Sequence, residues 1–197
     1  MRGKTIVLAA GEFPAKNTQP RRILDSAKRV VCCDSAADCY LKKTGLFPAA
    51  VVGDCDSLKG EFNNVVRISE QQTNDLEKAV KYCRERGWSD IVVLGAVGKR
   101  EDHSIGNVFR ALALGVEIVT KHGRFVPVCG VRRFKVRKGA AISVFPSSPS
   151  TEMKSKGLQW PLEGVKFSNL YVATLNRATH SSIQIESTEP VMLFMEY

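Results

Sequence analysis

Two aspartates two residues apart follow an apolar run, in Gly53-Asp54-Cys55-Asp56-Ser57. Carboxylates at that spacing, in a turn opened by glycine, can aim oxygens at one hard cation. Magnesium is commonly held by one or two carboxylates together with substrate phosphates. The same residues could form a polar turn in which Asp and Ser satisfy backbone donors. More aspartates occupy comparable places: Asp34 in Cys33-Asp34-Ser35, Asp75 at the opening of a helical stretch, and Asp102 just before His103. Each alone has a local use, as a turn residue, a first-turn acid or a helix N-cap. Five aspartates on one edge of a sheet would repel one another, and that repulsion favours a compensating cation.

The segment Gly95-Ala96-Val97-Gly98-Lys99-Arg100 is a glycine-bearing loop that supplies two cations ahead of a helical stretch. Backbone N–H groups and the Lys99 and Arg100 side chains there could receive phosphates. The loop matches neither G-x-G-x-x-G nor the P-loop pattern. His103 has no nearby Cys or His partners of zinc-site spacing, which argues against zinc. Further on, Trp160 precedes Pro161 in Gly157-Leu158-Gln159-Trp160-Pro161-Leu162. A Trp there serves as a core or edge contact, or as a flat platform for a ring, a cationic ring above all.

These residues need elements to place them. Short β-rich runs at Thr5–Ala10, Val30–Asp34, Ala49–Gly53, Val65–Ile68, Ile91–Leu94 and Val116–Thr120 are continuously apolar, as in a parallel sheet covered on both faces. Helical patterns lie between them. Asp75 to Arg86 sets Leu76, Ala79, Val80 and Cys83 on one stripe, with Asn74 and Glu77 spaced as in a capping box and Gly87 as the stop. His103 to Leu114 predicts a second helix that buries Ile105, Val108, Phe109 and Leu112 and ends at Gly115. Ligands of open α/β sheets bind outside the carboxyl ends of the strands, where the aspartates fall. After His122-Gly123 the pattern changes to short segments at Val126–Cys129, Phe134–Val136, Ala141–Phe145, Leu170–Ala173, Ser182–Glu186 and Val191–Met195, with no convincing helix. The expected fold is therefore α/β: an N-terminal open, mostly parallel α/β sheet domain over residues 1–123, then a small all-β sandwich or barrel over 124–197.

The net charge of +9 is concentrated: residues 121–157 carry nine Lys and Arg against one acid. Such a stretch is a solvated basic face or one that draws in a polyanion. The six cysteines form no C-x-x-C pair and sit mostly in apolar runs, so buried free thiols are expected. No apolar run approaches the ~20 residues that span a bilayer. Met1-Arg2-Gly3-Lys4 followed by Thr5 to Ala10 is basic, then apolar, but the apolar part is short and reads as the first strand. A cytoplasmic protein is the expectation.

Taken in order, these motifs resemble those of the thiamine pyrophosphokinase (thiamine diphosphokinase) family. The matching stretches are Asp34-Ser35-Ala36-Ala37, Gly53 to Ser57, Asn74-Asp75-Leu76-Glu77-Lys78-Ala79, Gly95 to His103 with Asn107 following, Gly157 to Leu162, and Ala173-Thr174-Leu175-Asn176. The resemblance implies an ATP-dependent transferase that moves a diphosphoryl group to thiamine, leaving AMP. It also implies a homodimer with thiamine at the subunit interface. By the same resemblance Asp54, Asp56 and Asp75 would position magnesium and the triphosphate, while Asp34 and Asp102 complete the acidic site. Ser57, Lys99, Arg100 and Asn107 would support the nucleotide. Trp160 would stack on thiamine, with Asn176 nearby.

Several positions depart from the family pattern. Ser35-Ala36 replaces two glycines, Gln72 and Asn74 stand where Asp and Thr are usual, and Leu175 replaces a serine. Two other readings are a transferase acting on another heterocycle and a non-catalytic nucleic-acid binder. The basic stretch lacks the interleaved aromatics of a base-stacking platform, and the aspartates would repel a phosphate backbone; no specific nucleic-acid partner is expected.

Overall fold

A computed structural model describes residues 4–197, so Met1 to Gly3, the start of the basic lead, lie outside the described residues. The chain divides into two compact units. One comprises the residues up to Arg110 with Ile118–Lys121, the other Ala111–Glu117 with His122–Tyr197.

The first unit is built on parallel strands β1 (Thr5–Leu8), β2 (Arg29–Cys33), β3 (Ala50–Gly53), β4 (Val65–Arg67) and β5 (Ile91–Leu94). Their order is β5-β1-β2-β3-β4. The chain steps outward from β1 to β4 and then returns to the other side of β1. Every residue of β1, β3 and β5 is buried, which accounts for their unbroken apolar character. Four helices complete the element list: α1 (Gln19–Asp25), α2 (Ala36–Thr44), α3 (Asp75–Glu85) and α4 (Glu101–Leu114). The short β6 (Glu117–Val119) and α4 draw their residues from both units.

The helix starting at Asp75 is present, with one half of the expected capping box: the Asn74 side chain accepts from the Glu77 N–H at 3.0 Å, while the Glu77 carboxylate pairs with Lys81 and Arg110. Two helices escaped the sequence reading. α1 is short, opening on Thr18 with a proline in its first turn. α2 follows Asp34-Ser35 directly and buries Ala36, Ala37 and Tyr40. The buried stripe expected of α4 is a correction. Ala111 and Leu112 are buried, but Ile105 is 61% exposed and Phe109 39%. The helical period was legible, but the burial of its apolar face was not.

The second unit contains β7 (Gly123–Lys135), β8 (Ala141–Pro146), β9 (Met153–Lys156), β10 (Ala173–Arg177) and β11 (Ser182–Glu196), and no helix is described within residues 124–197. Sequence segments read separately are single long strands here. β11 pairs with β7 along both halves, with β9 along Gln184–Ser187 and with β8 along Val191–Met195. Its register breaks between Ser187 and Val191, where Gly130 of β7 takes φ +70°. A bulge of this kind bends the strand and increases its local twist, and on either side of it β11 takes a different second neighbour, β9 before and β8 after. Phe134, Ile142, Val144, Phe167, Ile183, Ile185 and Leu193 fill one shared core. β10 begins at Ala173, the last residue of the expected Leu170–Ala173 run, and β9 was not foreseen.

All six cysteines are free. Cys32, Cys33, Cys55 and Cys83 are buried, and Cys129 is exposed. Burial pushes the Cys83 thiol up to about 11, leaving it protonated. No helix among the described residues is long and apolar enough to cross a membrane.

Candidate active site

The β2, β3 and α3 elements bring three carboxylates together. Asp34 follows β2, Asp54 follows β3, and Asp75 opens α3. Ligand oxygens of the three lie within 4.8 Å of one another. Gly53 makes the approach feasible: a Cβ there would lie 3.0 Å from Asp75 Oδ1 and 3.3 Å from Asp34 Cβ. Asp34 (φ +41°) and Cys55 (φ +60°) both hold left-handed backbone without being glycine, strain of a kind that collects at functional sites.

The electrostatics are those of crowded acids. Burial, then Asp75 and Asp54, push the Asp34 carboxyl up, while the Ser57 hydroxyl and N–H act against the rise. Burial and then Asp54 raise Asp75, and Lys78 opposes that rise. Asp34 is buried, and its Oδ1 has no hydrogen-bond partner. Lys78, itself only 3% exposed, places its Nζ 3.6 Å from Asp75 Oδ1. One lysine does not balance three carboxylates. An unpartnered buried oxygen, all-oxygen donors and residual negative charge suit a hard divalent cation such as magnesium.

The predicted site residues divide. Asp34, Asp54 and Asp75 converge; Asp56, expected with Asp54 and Asp75 as a metal ligand, is exposed and lies outside the trio. Its N–H approaches Asp54 Oδ1 at 3.4 Å, closing the local turn. Asp102 is also apart, in an exposed bidentate pair with Arg100 at 2.6 and 3.2 Å. That guanidinium holds its carboxyl down at about 2, so Asp102 stays ionised. Lys99 donates to the Ala10 carbonyl at 2.8 Å and lines a cavity of about 30 Å³ with Gly11, Ser35 and Ala36. Asn107 donates to the Ala96 carbonyl at 2.8 Å and accepts from Asn74 at 3.3 Å, tying the β5 loop to the cap of α3.

The β1 and β5 loops are themselves interlocked. Gly11 N–H donates to Gly95 O at 2.7 Å, and Glu12 N–H to Val97 O at 2.8 Å. A Cβ on Gly11 would meet Gly95 O at 2.3 Å.

In the second unit Trp160 is 54% exposed. Its backbone is clamped by Asn176, which accepts from the Trp160 N–H at 3.2 Å and donates to the Trp160 carbonyl at 2.7 Å. Asn176 Oδ1 also accepts from Arg177 N–H at 2.8 Å, so this buried amide is committed to backbone. Sequence reasoning missed Lys78, although its place three residues after Asp75 on a helix was the available signal.

A parallel α/β unit carrying a carboxylate cluster beyond its strand ends, with a separate β unit, has the build of a two-part transferase. The chain belongs to the thiamin pyrophosphokinase family. The model of that family's catalytic domain matches residues 20–120, and that of its substrate-binding domain matches residues 123–194. "Thiamin pyrophosphokinase 1" of Caenorhabditis elegans is 24% identical over 94% of this chain and 86% of its own. The solved thiamin pyrophosphokinase of Geobacillus thermodenitrificans shares the fold at a TM-score of 0.76 and 22% identity, covering 98% of this chain and 97% of its own. That of Candida albicans does so at a TM-score of 0.77 and 16% identity, covering 98% and 89%.

Proposed function

We propose that this protein is a thiamine diphosphokinase, transferring the diphosphoryl group of ATP to the hydroxyl of thiamine to give thiamine diphosphate and AMP. The observation that carries the reading is the convergence of Asp34, Asp54 and Asp75 in a chain matched by both domain models of the family. The bond from the β-phosphorus to the oxygen bridging it to the α-phosphorus breaks. The thiamine oxygen bonds to that β-phosphorus, AMP keeps the bridging oxygen, and the hydroxyl proton passes to solvent.

In this reading Asp34, Asp54 and Asp75 hold magnesium, with Asp56 and Ser57 at the rim. Bound there, magnesium would offset the charge of the transferring phosphates. The protein's own share is positioning and charge stabilisation, as in other phosphoryl transfers. Arg100 and Lys99 receive phosphate oxygens, Asp102 holds the Arg100 guanidinium in its fork, and Asn107 keeps the β5 loop in place. Trp160 offers its exposed ring to the thiamine rings, and Asn176 acts by fixing the loop that carries Trp160.

The division of labour follows residues 1–123 as nucleotide and magnesium domain and 124–197 as thiamine and dimerisation domain. A homodimer with thiamine at the subunit interface and a cytoplasmic location complete the proposal. Exposed Tyr171 and Leu175, at 71% and 79%, supply apolar surface that a second copy would cover. Incubation with ATP, magnesium and thiamine is expected to yield thiamine diphosphate and AMP in equal amounts. ADP with thiamine monophosphate as first products would overturn the reaction. Turnover of another heterocycle with thiamine inert would overturn the acceptor.

A further inference from the structure

We infer that Asp38 is a positioning residue that fixes the loop bearing Asp54 against α2 and so sets the spacing of the carboxylate cluster. The inference rests on the cluster being the cation site proposed above. Between β3 and β4 the chain from Asp54 to Asn64 has no regular structure, and Asp56, Ser57, Lys59 and Gly60 are exposed. Asp38 reaches this loop from the first turn of α2. Its Oδ2 accepts from the Lys59 N–H at 3.0 Å and its Oδ1 from the Gly60 N–H at 2.8 Å.

Two parallel bonds to one carboxylate fix register as well as distance, and each is charge-assisted. Leu58 and Phe62 pack against the core and hold the loop down. Apolar contact of that kind is non-directional, and it leaves the backbone free to slide. The fork supplies the missing direction. Gly60 is fitted to it: a Cβ there would lie 2.9 Å from Asp38 Oδ1 and 3.0 Å from the Phe62 ring.

The anchor is placed to govern the cluster. Asp38 lies four residues after Asp34, on a helix start immobilised by buried Ala36, Ala37 and Tyr40. The cluster member Asp34 and the grip on the Asp54 loop therefore share one rigid base. Release of the grip would let Asp54 drift relative to Asp34 and Asp75 without removing any ligand.

The test compares Asp38→Ala and Asp38→Asn with Asp25→Ala, whose carboxylate pairs with Arg21 on the surface. Trypsin cuts after lysine, so nicking at Lys59-Gly60 reads loop release directly, and magnesium titration followed by thermal shift reads the cluster without any turnover. Asp38→Ala removes both charge-assisted bonds and should nick at least about tenfold faster, the order expected for the loss of even one. Its half-saturating magnesium should rise by about tenfold or more, as for other supports behind a metal ligand. Asp38→Asn keeps one acceptor and should fall between, while Asp25→Ala should match the unmodified protein.

Unchanged nicking, or faster nicking with unchanged magnesium half-saturation, overturns the inference. If Asp38→Ala does not fold, Gly60→Ala displaces the same contact from the loop side and should reproduce both effects; unchanged magnesium half-saturation in that variant overturns the inference equally. Failure of the product assay would not touch these readouts, whereas absence of any magnesium shift in the unmodified protein would overturn the cluster reading itself.

Discussion

Asparagine in place of each aspartate separates the members of the acidic group, because it removes charge with little change of shape. Asp34→Asn, Asp54→Asn and Asp75→Asn should each raise half-saturating magnesium by no less than the ~10–100-fold typical of groups one step removed from a metal. Asp56→Asn should cost less, since Asp56 lies outside the converging trio. Equal losses at all four positions, by titration and by turnover, would show that Asp56 joins the site when it is loaded. The pH dependence follows from the raised carboxyls of Asp34 and Asp75. Between the ordinary aspartate value and the raised one, the folded metal-free chain holds more protons than the unfolded chain, so its stability falls as pH rises through that window. Magnesium competes with those protons, and its thermal stabilisation should shrink as pH falls into the same window. A shift that stays constant on acidification to the ordinary aspartate range would mean other groups bind the ion. At this scale the spacing of Asp54 and the helix-opening place of Asp75 were legible in the sequence. The burial of Asp34 and of Lys78 was not, because both depend on strands and helices distant in the chain coming together, although the i, i+3 pairing of Lys78 with Asp75 is local.

Elements were legible wherever local pattern and tertiary burial agree. The buried strands β1, β3 and β5 read as unbroken apolar runs, and α3 was marked by its cap as well as its stripe. α4 shows the opposite case: its stripe has the helical period, yet Ile105 and Phe109 face outward, and period alone does not say what covers a face. β7 and β11 were read as pairs of short segments because Gly130 and the Thr188–Pro190 bulge interrupt the alternation inside strands that continue past them. A pair of glycine substitutions tests the element geometry in opposite directions. Gly11→Ala places a methyl 2.3 Å from Gly95 O, where the β1 and β5 loops interlock, and should destabilise the chain and weaken ATP binding. Gly106→Ala meets nothing within 4 Å in the interior of α4. It should stabilise by about 0.4–1 kcal/mol through helix propensity and a less flexible unfolded chain. Paired thermal melts check both, and a rise in Tm for Gly11→Ala would contradict the interlock.

For the whole molecule, the proposal of shared sites makes a quantitative forecast. If each site joins the aspartates of one subunit to Trp160 of the other, Asp54→Asn and Trp160→Ala are each nearly inactive as pure homodimers. Co-refolded in equal amounts, about half the dimers are mixed under random two-fold pairing, and each mixed dimer carries one intact site. Activity should then recover to about a quarter of the unmodified value by the same pairing arithmetic. Mixed dimers that form and stay inactive would rule out shared sites. The Asn176 clamp bears on a different question, how such a protein could change its acceptor over evolutionary time. It grips the Trp160 main chain through bonds that ignore the identity of the side chain. A lineage could therefore exchange the ring at position 160 while the loop beneath it stayed put, altering what is recognised at little cost to the fold. Drift in specificity would then show first as variation at 160 against a constant amide at 176.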